Sequence, residues 1–205
     1  MPLLVGRVGA RGAESGVLVG WRLMDHDDLV DLLRDGVTAE GGRWADLGAG
    51  DGAFTFALAD LVGPGAQITA VDRDAGALRT LASNVGNRRP ASIETIVADF
   101  TRPLALSELD GIVMANSLHF VRNKAPVLVS VRDMLRPGGT LIVVEYETDS
   151  GNPWVPHPFS LRTWEGMAAT AGFDDTRLLH RYPSRYFGSM YSAASTKPLA
   201  SGFVT

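Results

Sequence analysis

Hydrophobic positions along this chain follow two alternating rhythms: short continuous apolar runs, and stretches in which apolar residues recur every three or four positions. Leu29, Leu32 and Leu33 share one face of a helix that Asp25 caps and Gly36 stops. Arg43 to Leu47 reads as the first strand. Phe54, Leu58, Leu61 and Val62 then recur at helical spacing until Gly63-Pro64-Gly65 breaks the pattern. Gln67 to Val71 predicts a second strand ending at Asp72, a helix follows over about 74–85, and Ile93 to Ala98 predicts a third strand ending at Asp99. Gly111 to Ala115 forms a fourth. Val127, Leu128, Val131, Met134 and Leu135 next share a helix face, which Arg136-Pro137-Gly138-Gly139 ends. The unbroken apolar body of Thr140 to Tyr146 suits a strand covered on both faces. Ser160 caps a last helix that turns Leu161, Trp164, Met167 and Ala171 inward and ends at Gly172. Thr176 to Tyr182 and Arg185 to Ser192, on either side of Pro183-Ser184, predict a closing hairpin.

Alternating strand and helix with a closing hairpin specifies an α/β fold: a doubly wound, Rossmann-like, mostly parallel seven-stranded sheet with an antiparallel C-terminal hairpin strand. A length of 205 residues suits one domain of ordinary size, and no internal repeat suggests otherwise. The expected organisation is a loosely ordered arm over 1–20, one domain over 21–195 and a flexible tail over 196–205. The arm is broken by five glycines with charges between them, so it lacks the continuous apolar centre of a signal peptide.

Composition narrows the function by exclusion. No cysteine is present, which removes disulfides, thiolate metal sites and cysteine nucleophiles and is compatible with a cytoplasmic location. The four histidines show no paired ligand spacing, so no metal is expected. A formal charge of −4 without a basic run argues against nucleic-acid binding. No apolar run approaches the roughly 20 residues of a membrane-spanning helix.

In open α/β sheets, ligands bind beyond the carboxyl ends of the strands. After the first strand come Asp46 and then Gly48, Ala49, Gly50 and Gly52. Glycine backbones approach a ligand closely, and the next helix offers free N–H groups. Asp72, about 20 residues on, is placed for ribose hydroxyls. Asp99-Phe100 ends the third strand with an acceptor and a ring suited to an adenine, although such a pair is also ordinary loop chemistry. The glycines satisfy a relaxed G-x-G-x-x-G/A pattern as well, which keeps a nicotinamide oxidoreductase in play.

Asp46-x-Gly-x-Gly-x-Gly, Asp72, Asp99-Phe100, Asn116-Ser117-Leu118-His119 and Leu135-Arg-Pro-Gly-Gly, in that order, resemble the class I S-adenosylmethionine-dependent methyltransferases. Among these the resemblance is greatest to small single-domain enzymes of the ubiquinone and menaquinone biosynthesis type. It implies S-adenosyl-L-methionine as cofactor, with Asp46, Gly48, Ala49, Gly50 and Gly52 along its methionine part. It further implies Asp72 on the ribose diol, Asp99 and Phe100 on the adenine, and Asn116 beside the methionine portion near the methyl. Arg73 either covers the adenine from the other side or is an exposed arginine.

The resemblance makes the chain an enzyme that methylates a small-molecule acceptor. A protein that binds S-adenosylmethionine without catalysis is the alternative, and a homodimer is left open. His119 is the candidate general base, unless it packs beneath the following helix. Glu145 and Tyr146 end the fifth strand, where they line an acceptor pocket or serve the nearby loop. Trp154, His157 and Phe159 form an aromatic loop fit for a lid or for core packing. Arg177, Arg181 and Arg185 either greet an anionic acceptor or form a solvated sheet face. Asn116-Ser117-Leu118-His119 lacks the Asn/Asp-Pro-Pro-aromatic signature of nucleic-acid amino methyltransferases.

Overall fold

The computed structural model of the chain describes residues 24–86, 91–184 and 186–200, so the expected arm and Arg185 lie outside the described residues. Apolar strands with no polar face require cover on both sides, and the sheet obtains it from two helical layers. Helix α1 (His26–Arg34) starts at Asp25, whose side chain accepts from the Asp28 amide while Asp28 reaches back to the Asp25 amide. Strand β1 (Arg43–Leu47) leads into α2 (Ala53–Val62), and β2 (Gln67–Asp72) into α3 (Ala75–Val85), capped by Asp74. Strands β3 (Ser92–Val97) and β4 (Leu109–Ala115) follow, joined by a loop with no helix. A single 3₁₀ turn (Leu118–Phe120) precedes α4 (Ala125–Met134). Next come β5 (Leu135–Tyr146), α5 (Leu161–Thr170), β6 (Asp174–Ser184) and β7 (Gly188–Thr196).

The seven strands of the described residues form one sheet in the order β3-β2-β1-β4-β5-β7-β6. The first five are parallel, and β7 runs antiparallel to both β5 and β6. The reversed strand is therefore internal, and β6 forms the edge. Helices α1 and α2 pack on one face over Trp44, Ile68, Val113, Ile142 and Val144. Helices α4 and α5 cover the other over Ala45, Leu47, Ile112, Met114, Leu141 and Val143.

Three expected boundaries move. Arg136 to Gly139, read as a stop, belongs to an extended entry into β5: pairing shifts register between Leu109 and Gly111, and Gly138 and Gly139 exchange backbone hydrogen bonds with Lys197. The prolines and glycines there make a bulge and leave the chain extended. Pairing at Thr196 and Lys197 also runs past the expected start of the tail. The hairpin turn lies beyond Pro183-Ser184, both of which pair with β7, and it closes through Phe187 and Gly188 at positive φ. Proline is tolerated there because β6 is an edge strand.

Gly111 in β4 exists for packing. A Cβ there would lie 2.1 Å from the Trp44 ring, which is anchored by its Nε1–H donating to the Gly41 carbonyl at 3.2 Å. We predict that Gly111→Ala lowers the unfolding free energy by about 1–3 kcal/mol, an overpacking cost. Urea denaturation reads this out, and an unchanged midpoint would show that the ring gives way.

Candidate functional site

The carboxyl ends of β1, β2 and β4 meet where the connection from β1 runs to one side of the sheet and that from β4 to the other, a switch point that opens a crevice. There the chain leaves β1 through Gly48, whose φ of +87° is costly for any residue with a Cβ. Space forbids one as well: a Cβ at Gly48 would lie 2.4 Å from that of Ser117 and 3.5 Å from the Phe100 ring. The amides of Gly48 and Ala49 both donate to the Val71 carbonyl, at 2.8 and 3.1 Å, which ties the turn to β2. Gly52, at φ +96°, starts α2 with no side-chain cap, so the first amides of that helix face the crevice without a competing side chain. Asp46, Gly48, Ala49, Gly50, Asp51, Ala53, Phe54, Ala115 and Asn116 line a cleft of about 110 Å³.

Asp46 is buried on the α2 side of the sheet, and its carboxylate accepts from the Thr55 hydroxyl at 2.6 Å. Burial pushes its pKa up to about 7; the Thr55 hydrogen bond opposes this and the charge of Asp72 adds to it. Asp72 itself accepts from the Gly50 amide through one oxygen and from the Asp74 amide through the other, each at 2.8 Å. Each oxygen keeps a second lone pair for a ligand hydroxyl. Asp99 is exposed. The hydroxyl and amide of Thr101, at 2.7 and 2.9 Å on the same oxygen, hold its pKa below the usual range, and Arg73 lies near enough to add to the effect. The other Asp99 oxygen accepts none of these bonds. The partly buried Phe100 ring packs against the core beside Gly48.

Asn116 carries a second sign of a ligand. Its backbone is left-handed at φ +52°, and its amide donates to the Val144 carbonyl. Its Oδ1 is buried at the cleft with no hydrogen-bond partner. A buried orphan acceptor is unfavourable unless something fills it. Asp46 and Asn116 thus offer two acceptors to one cleft, which fits a cationic, hydrogen-bond-donating group such as an ammonium.

Beyond Asn116 lies a second group of side chains. Ser117 donates its hydroxyl to the Leu47 carbonyl at 2.8 Å. His119 sits on the 3₁₀ turn, 3% exposed, with Nδ1 2.7 Å from the Glu145 carboxylate. The rings of Phe120 and Tyr146 lie 4.3 and 6.0 Å from it, and Phe187 stands 5.3 Å beyond Tyr146. Lys124 bridges the Val121 and His157 carbonyls, with its pKa lowered by burial. Of the aromatic loop, Phe159 packs in the core, whereas Trp154 is 68% exposed. Arg181 pairs with Glu147, and Arg177 pairs with Asp175. Two partners were not foreseen in the sequence: Thr55 for Asp46, and Glu145 for His119. A threonine two places into α2 stands close to the end of β1, and that spacing was the available signal for the first.

With α2's open N-terminus, the paired acceptors and the acid at the end of β2 established, comparison with known proteins adds an independent line. Residues 45–143 match the family model described as a methyltransferase domain. The chain is 32% identical over 120 residues to a demethylmenaquinone methyltransferase of Beutenbergia cavernae, covering 57% of this chain and 44% of that protein. It is 27% identical over 146 residues to a ubiquinone/menaquinone biosynthesis C-methyltransferase of Ectopseudomonas mendocina, covering 68% and 57%. The chain therefore spans about half the length of these relatives. In fold it is similar to an S-adenosylmethionine-dependent methyltransferase of Methanosarcina mazei, at a TM-score of 0.63 and 16% identity over 81% of this chain and 97% of that one.

The raised pKa of Asp46 has a stability consequence. Between its unfolded value of 3.8 and about 7, the native carboxyl holds a proton that the unfolded chain has released, so stability falls as pH rises through that window. We predict that the stability of the ligand-free protein, relative to Asp46→Asn, declines from about pH 4 to about pH 7 and is flat above, by on the order of 4 kcal/mol in all. Chemical denaturation across that range measures it. A difference independent of pH would mean that Asp46 is ionised when buried.

Proposed function

We propose that this chain, whose residues 45–143 match a methyltransferase-domain model, is a class I S-adenosylmethionine-dependent methyltransferase that transfers the methyl group of S-adenosyl-L-methionine to a small-molecule acceptor. The observation that carries the reading is the pair of acceptors at the glycine-turn cleft: buried Asp46, which accepts from the Thr55 hydroxyl, and the orphan Oδ1 of Asn116. In this reading they hold the ammonium of the cofactor's methionine part, and Gly48, Ala49, Gly50 and Gly52 let that part lie against backbone. Asp72 takes the ribose diol. Asp99 offers its free oxygen to the adenine amino group, while Arg73 lies over the outer edge of the base. Phe100 supports the adenine from below, through the loop it anchors to the core. The cofactor supplies a methyl group on a sulfonium, so the chain's own work is to position the acceptor and exclude water. Such positioning is worth on the order of 7–11 kcal/mol.

The acceptor side favours a small molecule with an apolar or aromatic body. His119, Phe120, Tyr146 and Phe187 form a run of neighbouring rings at the ends of β4 and β5. Phe120 within it is more than half exposed. Names of relatives that include menaquinone and ubiquinone biosynthesis agree with such an acceptor. No helix among the described residues is long and apolar enough to cross a membrane. The nicotinamide alternative loses support from the reversed internal strand β7, where a sixth parallel strand would otherwise lie.

Calorimetric titration with S-adenosylmethionine, S-adenosylhomocysteine and nicotinamide dinucleotides tests the donor. We expect the first two to bind, and Asp72→Ala to weaken them by about 1–3 kcal/mol, the scale of a charge-assisted hydrogen bond. Binding of the dinucleotides alone would overturn the reading, and unchanged affinity in the variant would displace the ribose from Asp72. Transfer of labelled methyl into a metabolite extract separates the enzyme from a non-catalytic binder.

A further inference from the structure

The cofactor residues do not account for the second buried acid of the site. Glu145 is fully buried at the end of β5, where one carboxylate oxygen accepts from the His119 backbone N–H at 3.1 Å and the other meets Nδ1 at 2.7 Å. A carboxylate so far from water persists only with such partners. Being an acceptor when ionised, it places the imidazole proton on Nδ1 and leaves a lone pair on Nε2. Among the described residues no hydrogen bond reaches Nε2. Among the described residues, Nε2 is not one of the fully enclosed side-chain atoms without a hydrogen-bond partner.

The surroundings hold this arrangement rigid. Lys124, at the start of α4, grips the carbonyls of Val121 and His157, and the His157 amide donates to the His119 carbonyl, so the turn bearing the imidazole is clamped from two sides. The charged and titratable groups facing the pair are Lys124 from α4, Tyr146 beside it on β5, and Tyr191 from β7, whose hydroxyl donates to the Phe159 carbonyl. Neither phenol competes for Nδ1, which meets the Glu145 carboxylate.

We propose that Glu145 is the positioning residue that makes Nε2 of His119 a proton acceptor, and that the methyl acceptor is accordingly a hydroxyl or an acidic carbon. This rests on the methyltransferase reading above. The acceptor's O–H or C–H proton passes to Nε2, and the pair it leaves forms the new bond to the methyl carbon. The S–CH₃ bond breaks with its electrons remaining on sulfur. The resulting imidazolium stands against the Glu145 carboxylate, which offsets its charge. A thioether or tertiary amine, having no proton to lose, makes no use of the pair.

Imidazole ¹⁵N NMR on the full chain with S-adenosylhomocysteine bound tests the proposal without a variant. His119 is expected to show a protonated Nδ1 and an unprotonated Nε2 at alkaline pH. Glu145→Gln should displace that tautomer and slow methyl transfer roughly 100-fold, the scale of a general base, with donor affinity unchanged. Glu145→Asp should recover part of the rate, and the products should carry methyl on oxygen or carbon. A wild-type Nε2–H tautomer, or a product methylated on a thioether sulfur or tertiary nitrogen, overturns the proposal. A chain that binds no S-adenosylhomocysteine overturns the methyltransferase reading and this one with it, whereas intact binding with the wrong tautomer overturns this one alone.

Discussion

The close approach of Gly48 to Ser117 is the constraint on which the site depends. No side chain fits at position 48, because the Ser117 side chain occupies the space where one would begin. The Ser117 hydroxyl meanwhile holds the Leu47 carbonyl, so the ends of β1 and β4 are fastened directly to each other. The same turn is fastened to β2 through the Val71 carbonyl. Three strand ends thus meet around a stretch of bare backbone, which fixes the spacing between Asp46, Asp72 and Asn116. Were the turn bulkier, β4 would be displaced, and His119 with it.

Four carboxylates at strand ends meet four different environments, and environment decides what each can do. Asp46 is buried with only a hydroxyl partner and is pushed up to about 7, so it is poised to gain from an arriving cation. Asp72 braces the turn through two backbone amides while keeping lone pairs for a ligand. Asp99 is solvated and held ionised by Thr101. Glu145 is the most deeply enclosed, and it is satisfied by both the backbone and the ring of His119. In the proposed reading, their order along the sheet separates donor-binding groups from the proton-handling group.

The sequence made legible whatever is local. Strand β1 has the predicted ends because apolar Trp44-Ala-Asp-Leu47 runs straight into glycines, and Asp25, Asp74 and Ser160 cap helices as short-range rules require. The Asp46 to Gly52 turn, Asp72 and Asn116 gather at one crevice because the fold class itself places strand ends together. What stayed hidden depends on contacts across the sheet. Arg136-Pro-Gly-Gly looked like a break, yet β4 on one side and Lys197 on the other keep it extended. Pro183 looked like a turn, but on an edge strand its missing N–H costs nothing. Glu145 and His119 lie 26 residues apart, and only the pairing of β4 with β5 brings them together.

The position of β7 bears on the order in which the protein acquires its site. Strand β5 has β4 on one side, but its other edge belongs to β7, the last strand in chain order, and Glu145 pairs there with Tyr191. A chain emerging from the ribosome therefore builds the cofactor turn, from β1, β2 and β4, while β5 still presents an open edge and Glu145 is still wet. Pairing across so long a stretch is slow because loop closure precedes its reward. The glycine-turn half of the site takes shape early in synthesis, and the half that pairs His119 with Glu145 waits for the end of the hairpin. A nascent chain stalled before β7 would be a folding intermediate with an exposed strand, the kind of species that chaperones shield.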